Sequence, residues 1–142
     1  MKKKNRIEKY VKLFESLNLE NLNKFDKLLD ENIYFADPFN KVYGIENFKR
    51  IFFNTLNKLD NVEFKVLDII SKNNIYIIKW EMIYFAFSKS NSIFGLSEVT
   101  INRNRKVASH IDYWDSYNNF YTKIPIFGLI FRFVLSLVKK RI

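Results

Sequence analysis

The chain contains no cysteine, which excludes a disulfide framework and any chemistry that needs a thiolate. A single histidine means no His-x-x-x-His pair, and no loop dedicated to carboxylate ligation is visible. Neither a metal nor a cofactor is therefore expected. Glycine and proline are scarce, with 3 and 2 residues respectively, and the sequence has neither a Gly-rich phosphate loop nor a Gly-x-Ser-x-Gly elbow. No repeat, low-complexity tract or internal linker interrupts it. The longest apolar run, Ile126–Val138, is too short to span a bilayer comfortably and is broken by Arg132. The basic opening Met1–Arg6 leads into an amphipathic segment, so no signal peptide is expected, and a cytoplasmic location follows.

What remains is rich in rings and positive charge. The 142 residues suit one domain, and a hydrophobic content of 48% is ample for a core. Aromatic residues make up 18%, led by 15 Phe and 8 Tyr; so many rings can fill a core or line a cavity for an apolar ligand. The net charge of +9 is scattered, apart from Lys2–Lys4 and Lys139–Arg141. Plentiful Lys, Asn and Ile beside little Gly and Pro is what codon bias in an AT-rich genome produces. A nucleic-acid footprint needs clustered charge, so no nucleic-acid partner is expected.

Hydrophobic periodicity divides the chain into helices and then strands. Ile7, Tyr10, Val11, Phe14 and Leu17 fall at helical spacing over Arg6–Leu17. A second helix is expected over Leu19–Leu29, with Leu22, Phe25, Leu28 and Leu29 inward. Ile33–Ala36 reads as a short strand ended by Pro38, which holds Asp37 extended. Asn40–Gly44 reads as a loop, and Ile45–Leu59 as a third helix carrying Phe48, Ile51, Phe52 and Leu56 inward. Val62–Ser71, Ile75–Ser88, Ser92–Asn102 and Lys106–Asp115 then form an antiparallel meander. Turn signals separate them at Lys72–Asn74, Lys89–Asn91 and Arg103–Arg105. Helices followed by a run of long strands make an α+β pattern. On Ile75–Phe87, Trp80 and Met82 suggest an interior wall, while Lys79 and Glu81 suggest an outer face. That outer face is apolar enough to make a homodimer through the sheet a fair expectation.

Two short segments carry the chemistry: Phe35-Ala-Asp37-Pro38-Phe39 and His110-Ile-Asp112-Tyr-Trp114-Asp115. A carboxylate among aromatics is costly unless paired, hydrogen-bonded or protonated, and acids in such settings cluster at functional sites. His110 and Asp112 share a strand face. Asp37, His110 and Asp112 thus form a candidate acid–base set. Asp37 can equally be a turn aspartate bonded to backbone N–H groups beside Pro38, and His110 can be satisfied within the sheet. Asp115 can cap the segment after the strand. Trp80, Met82, Tyr84 and Trp114 read as core or as contact residues, categories that merge in a hollow fold.

With Gly44-Ile-Glu-Asn-Phe48 opening the third helix, these segments and the element order resemble the nuclear-transport-factor-two-like superfamily in its bacterial SnoaL-like branch. The resemblance covers roughly residues 6–123. It implies a cone, a strongly curved antiparallel sheet wrapped around three N-terminal helices, with an apolar pocket inside. Residues 1–123 would form the cone domain, and 124–142 a C-terminal amphipathic, apolar and basic helix. This superfold hosts isomerases, cyclases, dehydratases, hydrolases and non-catalytic binders. In its steroid isomerases an aspartate matching Asp37 is the general base, assisted by a first-helix tyrosine and a neutral aspartic acid on the meander. Here those two positions fall near Leu13 or Phe14, with Tyr10 the nearest tyrosine, and near Ser97 beside Glu98. In limonene-type epoxide hydrolases and SnoaL-type cyclases an acid near the last strand contributes, for which Asp112 is the counterpart. The hydrolases' Arg-x-Asp pair finds only a loose echo in Lys79-Trp80-Glu81.

The resemblance implies a small-molecule pocket protein for a hydrophobic, carbonyl- or hydroxyl-bearing ligand. Asp37 would shuttle a proton, with His110 and Asp112 as polar partners. Phe14, Phe35, Phe39, Phe52, Trp80, Met82, Tyr84, Ser97 and Trp114 would line the pocket. The chemistry would be cofactor-free isomerisation, cyclisation, dehydration or hydrolysis. A non-catalytic binder with the same pocket is the alternative. A third reading is a peripheral membrane protein held by Ile126–Arg141.

Overall fold

A computed structural model describes residues 2–86 and 88–139. Met1, Phe87 and Lys140–Ile142 lie outside the described residues, and with them Lys140 and Arg141 of the expected basic cluster. Helix α1 (Lys2–Glu15) leads through a 3-10 helix (Leu22–Lys27) to strand β1 (Leu29–Ala36), β2 (Lys41–Tyr43) and helix α2 (Ile45–Lys58). Four strands follow: β3 (Asp60–Lys72), β4 (Ile75–Ala86), β5 (Lys89–Ile101) and β6 (Val107–Trp114). The chain closes with a short helix α3 (Ser116–Asn119), a 3-10 turn (Tyr121–Lys123) and helix α4 (Pro125–Lys139). The strands form one curved, unclosed sheet in the order β2-β1-β6-β5-β4-β3.

The fold is the α+β cone that the resemblance implies, and its sheet departs from the expected antiparallel one in a parallel pair. β3 to β6 are antiparallel as expected, but β1 runs parallel to β6, pairing Phe35 with His110 and Ala36 with Ile111. The sheet is therefore mixed. The connection between these two strands is the whole of β2, α2 and the meander, long enough for the crossover that a parallel pair requires.

Local polar chemistry explains the remaining differences. The second helix is a 3-10 helix confined to Leu22–Lys27. Its start is delayed because Asn18 Oδ1 accepts from the N–H groups of Glu20 and Asn21, while Asn21 Oδ1 accepts from Asn18 N–H. Leu29 already pairs with Val107, so β1 begins earlier than the expected Ile33. The Asp-Pro step does not end pairing: Asp37 N–H donates to Asn40 O at 3.0 Å, and Lys41–Tyr43 returns antiparallel along β1. Lys89–Asn91 belongs to β5, paired with Tyr84–Ala86, and the reversal falls just before it, with Ser88 at φ 60°. The turns at Asn73 and Arg105 stand where expected, each with a left-handed residue. Gly44 caps α2 at φ 86° and ψ 151°, a backbone state that only glycine adopts without strain.

α1, the 3-10 helix and α2 pack their apolar stripes on the concave side of the sheet. The core is a cluster of rings. Tyr10 and Phe14 of α1 meet Phe25 and Phe52, and Phe48 and Phe35 extend the cluster, mostly edge-to-face at centroid separations near 5–6 Å. Strand alternation sends Tyr76, Ile78, Trp80, Met82 and Tyr84 to this side and leaves Lys79 and Glu81 on the other.

Candidate functional site

The ring cluster does not fill the cone. Between α1, α2 and the inner face of β3–β6 lies a mainly apolar cavity of about 610 Å³, within the range of small-molecule sites. Every residue expected at the site lines it: Asp37, His110 and Asp112, with Phe14, Phe35, Phe39, Phe52, Trp80, Met82, Tyr84, Ser97 and Trp114. Phe39 also stacks edge-on against Trp114 and Phe120 at the rim, where exposed Asn54 and Lys58 of α2 join it.

The structure brings two members of the acid–base set together. His110 and Asp112, two residues apart on β6, face inward, and His110 Nε2 lies 2.7 Å from Asp112 Oδ1. His110 is only 4% exposed. Its other ring nitrogen, Nδ1, lies 2.6 Å from the hydroxyl of Tyr10, a residue of zero exposure. These contacts match the tautomer in which Tyr10 O–H donates to Nδ1 and Nε2–H donates to Asp112. Burial holds the Tyr10 phenol well above its ordinary pKa, and the Asp112 charge adds to the effect. Tyr10 thus stays protonated, as a donor must.

A second arm reaches Asp112 from the meander. Trp80 Nε1–H donates to Ser97 Oγ at 2.7 Å, and the Ser97 hydroxyl donates to Asp112 Oδ1. Gly95 makes this possible. It stands directly opposite Trp80 on β5, and a Cβ there would fall 2.3 Å from the indole ring. Only a residue without a side chain lets the indole lie across β5 and reach Ser97.

Both nitrogens of His110 are therefore occupied, one by a buried tyrosine and the other by Asp112. Asp112 is different. Oδ1 collects the histidine and serine bonds, whereas Oδ2 takes no hydrogen bond from the described residues and keeps some accessible surface, in a residue that lines the cavity. The atom free to meet a ligand is Asp112 Oδ2, held in place by four side chains behind it.

Asp37 stands apart. Its Oδ1 accepts from Phe39 N–H at 2.7 Å, Asn40 N–H at 2.6 Å and Asn40 Nδ2 at 3.0 Å, and Oδ2 accepts from Asn40 Nδ2 at 3.1 Å. The carboxylate touches the cavity wall but closes the β1–β2 turn, and it makes no hydrogen bond to His110 or Asp112. Asp115 caps α3 by accepting from Asn118 N–H at 3.0 Å, and the backbone and side-chain N–H groups of Asn118 hold its carboxyl below the usual range. Lys79 and Glu81 are not among the cavity residues; Glu81 instead accepts from Ser92 on the outer face.

Tyr10 is the residue that sequence reasoning missed as a site member. It sits in the apolar stripe of α1 and reads there as core. A buried phenol nevertheless requires a hydrogen-bond partner, and the chain's one histidine was a natural candidate. Among the described residues no group of three or more metal-ligating side chains occurs.

No curated protein matches the chain. Solved structures do. An NTF2-like protein from Exiguobacterium sp. 255-15 superposes with a TM-score of 0.67 at 12% identity, covering 78% of this chain and 98% of its own. A putative isomerase of the SnoaL-like family from Agrobacterium tumefaciens also gives 0.67, at 14% identity over 81% and 99%. A putative SnoaL-like polyketide cyclase from Jannaschia sp. gives 0.64, at 13% identity over 78% and 85%. At these identities the likeness establishes the nuclear-transport-factor-two-like fold. Residues 6–110, running from α1 into β6 as far as His110, match the family described as uncharacterized conserved protein, DUF2358, and to that family the chain belongs.

Proposed function

We propose that this protein binds a hydrophobic, hydroxyl-bearing small molecule in the cone, with the hydroxyl on Asp112 Oδ2. The observation that carries this reading is the cavity's polarity: an apolar chamber with one anchored carboxylate oxygen that no described residue hydrogen-bonds. A carboxylate accepts hydrogen bonds and protons, so it suits a hydroxyl or an acidic C–H rather than a bare carbonyl. His110 and Ser97 fix Asp112 by donating to its other oxygen, and Tyr10 and Trp80 fix them in turn. Asp112 then acts as general base in a cofactor-free isomerisation, cyclisation, dehydration or hydrolysis. The putative SnoaL-like isomerase and putative SnoaL-like polyketide cyclase among the structural neighbours support this class of chemistry through their fold alone. His110 is a positioning residue here, and Asp37 serves the turn.

The test compares Asp112→Asn with the unaltered protein. Asparagine keeps the shape and can still accept from Ser97, but its Nδ2 cannot take a proton. Ligands carried through purification are identified by mass spectrometry after solvent extraction, then offered back as substrates. Turnover lost by 10²-fold or more with binding retained supports catalysis, on the scale of a removed general base. Weaker binding by Asp112→Asn with no turnover in either protein identifies a non-catalytic binder anchored on Asp112. Loss of neither property in Asp112→Asn sinks the role of Asp112.

A further inference from the structure

Helix α4 has one face engaged and one face bare. Gly128 lies against Thr122, where a Cβ would meet the Thr122 carbonyl oxygen at 2.7 Å. Phe131 packs on Tyr117 and Tyr121 at 6.0 and 5.3 Å between centroids. Gly128, Phe131 and the half-buried Leu135 therefore form the docked stripe, at the i, i+3, i+7 spacing of one helix side. Leu129, Ile130, Phe133, Val134, Leu137 and Val138 project elsewhere, exposed by 49% to 69%. At 100° per residue these six cover about half the helix circumference, on the side away from the domain. Arg132, Ser136 and Lys139 form a narrow polar strip along one edge.

Charge indicates what covers this face. From Ser116 onward the sequence has no Asp or Glu, and carries Lys123, Arg132, Lys139, Lys140 and Arg141. An apolar half-cylinder bordered by cations, with no acid nearby, is complementary to an anionic lipid surface. The helix has 15 residues, about 22 Å at 1.5 Å per residue, against a hydrocarbon core of about 30 Å. No described helix is long and apolar enough to cross a membrane, so α4 would lie in the interface plane.

We propose that α4 docks this protein on anionic membranes, burying the Leu129–Val138 face among acyl chains with Arg132 and Lys139 at the headgroups. The proposal is independent of any chemistry at Asp112.

Co-sedimentation of the full chain with vesicles tests it, using phosphatidylcholine alone and phosphatidylcholine with phosphatidylglycerol. The expected result is a preference of at least about tenfold for the anionic vesicles, falling steeply in high salt. Phe133→Glu should abolish binding while leaving the thermal transition unchanged, because Phe133 is exposed. Reversing charge at Lys139, Lys140 and Arg141 together should remove the anionic preference. No binding to anionic vesicles overturns the proposal. So does a Phe133→Glu protein that binds as before, or one in which the substitution splits a dimer without affecting vesicle binding; the last result would assign the face to a second copy of the chain.

Discussion

Tyr10 and His110 show how much a buried polar contact constrains single residues. Removing the phenol hydroxyl in Tyr10→Phe leaves His110 Nδ1 buried without a donor, a loss of about 1–3 kcal/mol in the free energy of unfolding by urea. The same substitution should change the alkaline limit of stability. The folded phenol has a raised pKa, so above about pH 10 the unfolded chain releases this proton while the native protein keeps it. That contribution to stability is complete below the unfolded phenol's pKa and declines as pH rises toward the folded value. The urea midpoint of the unaltered protein should therefore drop more steeply above about pH 10 than that of Tyr10→Phe; parallel slopes would contradict the assignment. At this scale the sequence was informative about partners on one strand. His110 and Asp112 meet because alternation places them together. It was silent about partners a hundred residues apart, since nothing local in Tyr10 distinguishes a core ring from one that fixes a tautomer. Asp37 illustrates the reverse: an Asp-Pro step has two physical uses, and here Asn40 holds the carboxylate in the turn while it still borders the cavity.

Among the elements, β4 and β5 bear most directly on the site. Their register sets Trp80 opposite Gly95 and Ser97 one inward position further along, so the indole reaches across the ladder to the serine. Gly95→Ala should force the ring away, break the Trp80–Ser97 bond and destabilise the fold by about 1–3 kcal/mol, as overpacking does. Calorimetry measures the cost, and an unchanged indole N–H resonance would show that the ring had not moved. The long strands and amphipathic helices were legible from periodicity because one face of each is buried and the other wet. Periodicity could not reveal that β1 would lie parallel to β6. A four-residue apolar stretch fits either edge of a sheet, and the choice rests on a crossover spanning half the chain. The 3-10 helix was obscured for a different reason. Its apolar spacing suits an α-helix, and the side-chain bonds of Asn18 and Asn21 override it.

At the scale of the whole molecule, the described residues expose apolar side chains on the convex sheet and on α4, among other places. The convex side of the sheet presents Phe94, Leu96 and Tyr113, with Leu96 and Tyr113 paired across β5 and β6. Together with Lys79 and Glu81 they form a mixed patch suited to self-association. Sedimentation velocity should show a concentration-dependent dimer that Phe94→Lys converts to monomer; a monomer throughout would rule this out. The tryptophans follow a simpler plan. The chain has 2, and both Trp80 and Trp114 line the cavity. All of the protein's indole fluorescence therefore originates in the cavity wall, with no background from elsewhere. A molecule that packs against either indole should alter the emission of the entire protein, so the chamber carries its own optical readout and unlabelled compounds can be screened by intrinsic fluorescence.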